Sequence, residues 1–371
     1  MKRLHGLDTL RAAAIILVLA YHYQVVVTGA HTFGWLSTIG WTGVDLFFVL
    51  SGYLIGNQII ASPRDFSISR FYVRRLLRTL PNYYVILALY LLVPALMEKQ
   101  TAPLWSFLTF TQNFGLRPGQ TFTHSWSLCI EEQFYLILPA VVLLTLRFRQ
   151  SKVLGWLLLA LGMAGAVVLR ARAWSSYGEE AINPYDYYQH IYYSSLCRFD
   201  ELLPGVAIAM LKNLHPALYA RITGKGNALL ALGLAGVTAM FYLYSGEEYT
   251  YLNTVFGYSL LALSFGALVL AALSTESLLH KLRVPGAYQL ALWSYAIYLA
   301  HKPIYKLVAA QLRAAGIDGG SMTGIAIVMP LSLLGGWLLF CLVESPFMAL
   351  RARLYQGPAY TKGSAVVSLM R

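Results

Sequence analysis

Seven ionisable side chains lie within stretches that are otherwise apolar: His22, Asp45, Glu131, Glu132, Asp200, Glu201 and His301. A charge at the centre of a bilayer helix costs about 2.5–3.5 kcal/mol on insertion scales, so such residues are functional candidates by default. Histidine titrates near neutrality and suits proton transfer. A second group is cationic. RFYVRRLLRTLP (70–81) carries four arginines, of which Arg75 and Arg78 project from nearly one side of a helix. Arg11 precedes His22 by eleven residues, close to three turns, which puts both on one face about 16 Å apart. Guanidinium groups match phosphate oxygens bidentately, so this cluster can dock a phosphorylated ligand arriving from the cytoplasm. The plainer reading is topology and contact with anionic lipid.

The elements that must position these groups are membrane helices. Of 371 residues, 58% are hydrophobic and 12% charged, against about a quarter charged in a soluble chain. That apolar surplus exceeds what one globular core can bury and has to face lipid. Ten spans of about 20 residues are expected, near 8–28, 40–60, 81–97, 125–146, 153–170, 195–211, 226–245, 254–274, 286–308 and 323–346. The weakest is 195–211, which carries Arg198, Asp200, Glu201 and Pro204. With the N-terminus inside, inner segments hold nineteen of the 28 Lys and Arg residues, from Lys2 and Arg3 to Lys362 and Arg371. Outer loops hold Lys99, Arg117, Arg170, Arg172 and Arg313. This asymmetry follows the positive-inside rule. The fold class is therefore all-α, a polytopic transmembrane helix bundle of about ten spans with both termini cytoplasmic. Residues 1–346 read as one transmembrane domain and 347–371 as a short basic cytoplasmic tail.

The net charge of +12 is distributed as a topology signal and does not argue for nucleic acid. Cys129, Cys197 and Cys341 lie in or beside apolar runs, with neither a disulfide framework nor metal-ligand spacing. No metal is expected. Measured inward from the outer span ends, the seven buried groups share a depth of roughly 8–11 Å. Each alone is explicable as packing or as an interhelical contact; Asp200, for instance, is expected to pair with Arg198 or another cation. Together they argue for a polar cavity without naming a reaction. The tyrosine-rich YDYYQHIYY (185–193) suits an interfacial aromatic belt or, alternatively, a wall for a sugar-like acceptor.

At these residues the sequence resembles the acyltransferase-3 family of bacterial integral membrane acyltransferases, along almost its whole length. LDTLRAAAIILVLAYH (7–22) contains the family's Arg-x10-His arrangement as Arg11 and His22. GWTGVDLFFVLSGYLI (40–55) carries Phe-Phe-x-x-Ser-Gly, ending in Ser51 and Gly52. RRLLR (74–78) holds an Arg-x-x-Arg pair, Arg75 and Arg78. HSWSLCIEEQFYLILP (124–139) supplies Trp-Ser-Leu-x-x-Glu through Trp126, Ser127 and Glu131. CRFDELLPG (197–205), WSYAIYLAHKPI (293–304) and ESPF (344–347) also match the pattern. The hydrolase-like domain that some members append is not seen, so a stand-alone transferase is expected.

The resemblance implies transfer of an acyl group, usually acetyl, from cytoplasmic acyl-CoA to a hydroxyl. Acceptors in the family are envelope or secreted glycans such as O-antigen, exopolysaccharide, peptidoglycan or lipo-oligosaccharide; some members act on macrolides or other small metabolites. Acyl transfer needs a base, oxyanion stabilisation and aligned reactants. His22 is the expected base, with Glu131 or Asp45 as its orienting carboxylate. The family motif favours Glu131 over Glu132, and neighbours on a helix diverge by about 100°. Ser127, one turn before Glu131, can supply a hydrogen bond. Arg11, Arg75 and Arg78 are expected to hold CoA phosphates. Ser51 and Gly52 would border the donor's passage, more by allowing close packing than as a nucleophile. Trp126, Ser127, Arg198, Asp200 and His301 are expected around the acceptor. Acyl-CoA, a glycan or lipid-linked saccharide and membrane lipid are the expected partners, in the bacterial inner membrane. A transporter or flippase of a polar lipid or glycan is the rival, since buried charges also mark transport paths; it would leave its solute unmodified.

Overall fold

The computed structural model describes residues 4–61, 66–148, 150–177, 183–246 and 249–355. Lys2, Arg3, Arg64, Arg149, Lys362, Arg371 and the tail from 356 onward lie outside the described residues. Every regular element among the described residues is helical. The longer ones are α1 (His5–Tyr23), α2 (Gly43–Ile60), α3 (Ile68–Leu92), α4 (Trp126–Thr145), α5 (Ser151–Tyr177), α6 (Leu203–Leu214), α7 (Gly226–Gly246), α8 (Tyr258–Leu273), α9 (Ala287–Ala314), α10 (Met322–Leu339) and α11 (Ser345–Tyr355). In most of them, α3, α9 and α11 excepted, apolar residues on all sides set these runs. Local signals mark their starts: the Ser67 hydroxyl accepts from the Arg70 amide at 3.3 Å before α3, and Ser321 accepts from Gly324 at 3.1 Å before α10.

Among the described residues seven helical runs are long and apolar enough to cross a membrane: His5–Thr28, Trp35–Ile60, Thr123–Thr145, Ser151–Tyr177, Gly226–Ser245, Asn253–Leu273 and Met322–Leu354. They coincide with seven of the ten expected spans. The other three differ in physical character. α3 begins in the arginine-rich stretch and ends at Leu92, so its apolar part is short. α9 is long but carries His301, Lys302 and Lys306. The expected span at 195–211 is broken into a short helix Ser195–Arg198, a 3-10 turn Phe199–Leu202 and then α6. Pro204, near the start of α6, lacks an amide hydrogen that would be unpaired there anyway. A further correction concerns Arg170. Expected in an outer loop, it lies within α5 and is fully enclosed.

The chain divides into two units: Met1–Val25, Gly29–Asp65 and Glu98–Leu292 form the first, and Val26–Thr28, Phe66–Met97 and Trp293–Arg371 the second. In the first unit α6 lies directly against α2. The contact depends on glycine at both sides: a side chain on Gly52 would meet the Leu202 carbonyl, and one on Gly205 would meet the backbone of Val49 and Tyr53. Small residues are what allow helix backbones to approach this closely. Gly52 therefore serves the packing that brings α2 beside the Arg198 turn. In the second unit α11 packs on α3, and a side chain on Gly336 of α10 would meet Ile297 of α9.

Four π-helical turns occur among the described residues: Gln24–Thr28, Tyr188–Tyr192, Asn253–Gly257 and Phe340–Glu344. Such turns displace carbonyls from the α ladder and often mark functional sites. The third one hands the Val255 carbonyl to Arg170 Nε at 3.0 Å.

Gly52→Ala is expected to destabilise the detergent-solubilised protein by about 1–3 kcal/mol, because the new methyl meets backbone that cannot rotate away. Gly165 of α5 has open space around its would-be side chain, so Gly165→Ala should be neutral or slightly stabilising. Paired thermal-unfolding curves check both.

Candidate active site

The polar interior of the first unit is built around two enclosed arginines. Arg198, at the turn before α6, donates from Nη2 to Asp45 Oδ1 at 2.8 Å and pairs through Nε with Glu201 one turn on. Its guanidinium carbon stacks 3.9 Å from the Tyr258 ring centroid, 4.6 Å from Tyr192 and 5.2 Å from Trp126. Arg170 grips Asp200 bidentately at 2.7 and 3.0 Å and donates to the Cys197 and Val255 carbonyls and the Ser259 hydroxyl. Both guanidiniums and all three carboxylates have no solvent exposure. Aromatic faces and fixed acceptors thus replace the hydration that these ions lose.

This arrangement reassigns several expected site residues. Asp45, expected beside His22 as an orienting carboxylate, is held by Arg198. Asp200 pairs with Arg170 and not with Arg198, the other cation that the sequence left open. Arg198, Asp200 and Trp126 are packed into the framework, with Trp126 also edge-on to Phe48 at 6.1 Å. The tyrosine segment is turned inward: Tyr187, Tyr192 and Tyr193 are buried, while Tyr185 is exposed. Tyr187 shares a hydroxyl contact of 2.9 Å with Tyr258, so this stretch walls the ion-pair layer and only its first residue suits a belt.

His22 sits near the end of α1, just ahead of a π-turn. Its Nδ1 donates to the Val18 carbonyl at 3.1 Å. A carbonyl only accepts, so in the neutral ring the proton is on Nδ1 and the basic lone pair on Nε2. The imidazole stands edge-on to His124, with centroids 6.3 Å apart, and beside Tyr21 at 5.4 Å. His124 is buried in the 3-10 turn Thr123–Ser125 that opens α4. That turn follows Phe122, a bulky residue at φ +57°. A left-handed phenylalanine costs free energy that its surroundings must offset, a pattern concentrated at functional sites. Here Phe122 is buried, stacked on Phe107 and edge-on to His124 at 5.1 Å. Sequence reasoning passed over His124, although it opens the Trp-Ser-Leu-x-x-Glu stretch.

Glu131 and Glu132 are both half-buried. The Tyr135 hydroxyl donates to Glu131 Oε2 at 2.5 Å across one helical turn, and the buried Ser127 precedes Glu131 by one turn. Next to them a polar ring went unforeseen. Gln133 donates to the Phe110 carbonyl at 2.7 Å and to Asn113 Oδ1 at 3.1 Å; Asn113 donates to Ser195 Oγ at 2.8 Å; Ser195 donates back to Gln133 Oε1 at 2.6 Å. Gln112 reaches the Ser125 hydroxyl at 2.9 Å. This network stitches the long loop before α4 to α4 itself and to the segment before Arg198. The amides of TQNF (111–114) and of Glu-Glu-Gln were its only signal.

Arg11 lies half-buried on α1, and Ser51 half-buried on α2. In the second unit Arg75 and Arg78 are half-buried on α3. His301 there is fully buried, its Nδ1 donating to the Ile297 carbonyl at 3.1 Å and its ring between Tyr298 and Tyr305. Among the described residues no group of three or more His, Cys, Asp or Glu side chains could hold a metal ion.

A family model described as an acyltransferase domain matches residues 4–341. Peptidoglycan O-acetyltransferase OatA of Listeria monocytogenes is 29% identical over 344 residues, covering 84% of this chain and 51% of its own length. The putative peptidoglycan O-acetyltransferase YrhL of Bacillus subtilis is 27% identical over 334 residues, covering 81% and 48%. A putative O-acetyltransferase of Staphylococcus aureus is 24% identical over 407 positions, covering 100% and 62%. The chain thus spans about half the length of the first two of these relatives. No solved structure matches.

Removing Arg198 leaves two enclosed carboxylates without their cation. Arg198→Ala is expected to cost about 3–5 kcal/mol, read as a large drop in thermal stability and folded yield. Asp45→Asn keeps an acceptor facing Arg198 and should cost clearly less; equal losses for the two variants would contradict the ion-pair account.

Proposed function

The chain belongs to the acyltransferase-3 family, and from that premise we propose that it is a multi-pass O-acetyltransferase of the bacterial inner membrane. It moves acetyl from cytoplasmic acetyl-CoA to a hydroxyl of an envelope or secreted glycan. The observation that carries this reading is the geometry of His22, whose Nδ1–H donates to the Val18 carbonyl and so puts the basic lone pair of the neutral ring on Nε2. The relatives named as peptidoglycan O-acetyltransferases support acetyl as the group and a glycan as the acceptor. In this reading the chain crosses the membrane ten times with both ends cytoplasmic, as the distribution of basic residues favours.

The donor is a substrate with anionic phosphates at one end and a thioester at the other. Arg75 and Arg78 of the second unit are assigned to the phosphates on the cytoplasmic side, where guanidinium forks match phosphate oxygens, and Arg11 of the first unit is kept as a separate donor-side residue. His22 Nε2 takes the proton of the acceptor hydroxyl as its oxygen attacks the thioester carbonyl. The C–S bond breaks, and the imidazolium returns the proton to the departing thiolate, so the step balances without an external acid or base. His124 braces one side of the imidazole. Glu131, its rotamer fixed by Tyr135, is the carboxylate assigned to the reaction, with Ser127 one turn before it. Asp45, Arg198 and Asp200 hold the wall on which these residues stand. His301 is kept as an acceptor-side residue of the second unit.

Purified protein in lipid nanodiscs, given acetyl-CoA and a soluble glycan acceptor, tests the assignment. His22→Ala should keep acetyl-CoA binding and lose transfer by about 10²-fold or more, the usual contribution of a general base. Glu131→Gln should lower turnover with little change in donor affinity. Full activity of His22→Ala would remove the proposed base and with it this mechanism.

A further inference from the structure

The π-turn Tyr188–Tyr192 of the first unit makes contacts in three directions, and one of them serves the ion-pair layer. Its last residue, Tyr192, lies over Arg198, with 4.6 Å between guanidinium carbon and ring centroid. Its first, Tyr188, holds its hydroxyl 3.4 Å from that of Tyr21. Tyr21 belongs to α1, and its ring stands 5.4 Å from that of His22. The Tyr249 hydroxyl donates to Tyr188 from a third segment, at 3.5 Å. Three half-buried phenols are thereby set side by side next to the base. A π-turn re-aims side chains that a regular helix would space evenly, and such turns are frequent at functional sites.

The middle of the turn makes the third kind of contact. Gln189 Oε1 accepts from Arg117 Nε at 2.6 Å in an exposed bond that ties the turn to the long loop before α4. A guanidinium carries more N–H donors than this one bond uses, and its planar fork suits paired oxygens. His190, next in the turn, stacks on Tyr177 at the end of α5, with centroids 4.0 Å apart and planes within 6°. Tyr177 is 41% exposed, so part of the stack is open to a ligand. Tyrosine joins an apolar body to a polar tip. A pyranose has the matching make-up, with C–H groups on its face and hydroxyls at its rim. Polar donors beside an aromatic platform therefore suit a saccharide. A tyrosine that only marked the membrane interface would need neither the stack nor the Arg117 bond.

We propose that Arg117, Gln189 and the Tyr177–His190 stack bind one sugar unit of the acceptor, while Tyr188 and Tyr21 lead a neighbouring unit to His22. The inference rests on the transferase reading and deepens it: the acceptor is an oligosaccharide or longer chain, held by a unit other than the one acylated. Tyr21 and Tyr188 meet at their hydroxyls, so two phenol side chains separate the helix that carries the base from the turn that carries Gln189. One pyranose ring is shorter than two tyrosine side chains end to end. In the ten-span reading Arg117 and the tyrosine segment lie in outer loops, on the side where an envelope glycan is met.

The test uses the full chain in nanodiscs and a ladder of soluble peptidoglycan glycan fragments, from a single sugar to a tetrasaccharide. Binding is read by saturation-transfer NMR without acetyl-CoA, and turnover is read separately with it. Wild type should bind the tetrasaccharide about tenfold or more tightly than the single sugar. Arg117→Ala should weaken tetrasaccharide binding about tenfold, in the range of a lost hydrogen bond from a charged donor, and Gln189→Ala should weaken it less. In turnover both should raise the acceptor KM and leave kcat unchanged, the mark of lost uniform binding. A merely structural Arg117 would lower Tm and leave the acceptor KM alone. Arg172→Ala, at an exposed position of α5, should match wild type and so controls for surface charge. The proposal is overturned if Arg117→Ala and Gln189→Ala bind the tetrasaccharide as wild type does. It is also overturned if wild type binds no fragment, or binds the single sugar as tightly as the tetrasaccharide. His22→Ala separates the two readings, since it should bind the ladder normally and lose transfer. Binding that depends on Arg117 in a wild type that acetylates nothing would sink the transferase reading and leave the saccharide surface intact. Transfer with an unchanged acceptor KM in both variants would do the reverse.

Discussion

The constraint on which the first unit depends is that an ion deprived of water must be given fixed partners. Arg198 meets it with two carboxylates and three aromatic faces, drawn from α2, α4, the tyrosine segment, α8 and its own turn. Because the guanidinium is planar and always charged, it fixes the relative placement of all those elements at once. The turn at 195–202 suits this. Arg198 and Glu201, three residues apart, share one side of it, and Asp200 between them faces another, so Arg198 reaches Glu201 and Asp45 while Asp200 reaches Arg170. The glycine crossing of α2 and α6 is the complementary device, since only close backbones bring Asp45 within a hydrogen bond of the turn.

How much of this was legible in sequence depends on the kind of information needed. Hydropathy located the seven apolar runs and the charges embedded in them. Helical rise converts position into an expected depth, on which the sequence groups His22, Asp45, Glu131, Asp200 and His301. Depth says nothing of azimuth. It could not tell that Asp45 turns to Arg198 while His22 turns to Val18 and His124, nor that Asp200 chooses Arg170. Arg170 itself was misplaced because a hydropathy window stops at the first charge, whereas the helix continues to Tyr177 once that charge is paired.

The polar ring of Asn113, Gln133 and Ser195 was hidden for a different reason. Neutral amides and hydroxyls give no charge signal and little hydropathy signal, and their value arises only when donors and acceptors from distant segments close a circuit. His124 was hidden by its neighbours. In a stretch identified by Trp126 and Glu131, a histidine two residues ahead reads as loop. What exposes it is backbone geometry: Phe122 adopts a left-handed conformation that phenylalanine disfavours, held by burial and by its stack on Phe107. The chain accepts that local cost where it aims a second imidazole at the first.

Burial also sets the arginine framework apart from His22, Glu131 and Glu132. The arginine layer is enclosed on every side, so its members have no alternative partners and their positions are fixed. Glu131, Glu132 and His22 are only partly covered; Tyr135 donates to Glu131 and His22 donates to Val18, each within its own helix. A group that must exchange a proton with a substrate cannot have every lone pair committed in advance. The enclosed ion pairs therefore make a fixed wall, while a partly covered side chain held within its own helix keeps a direction and some exposure.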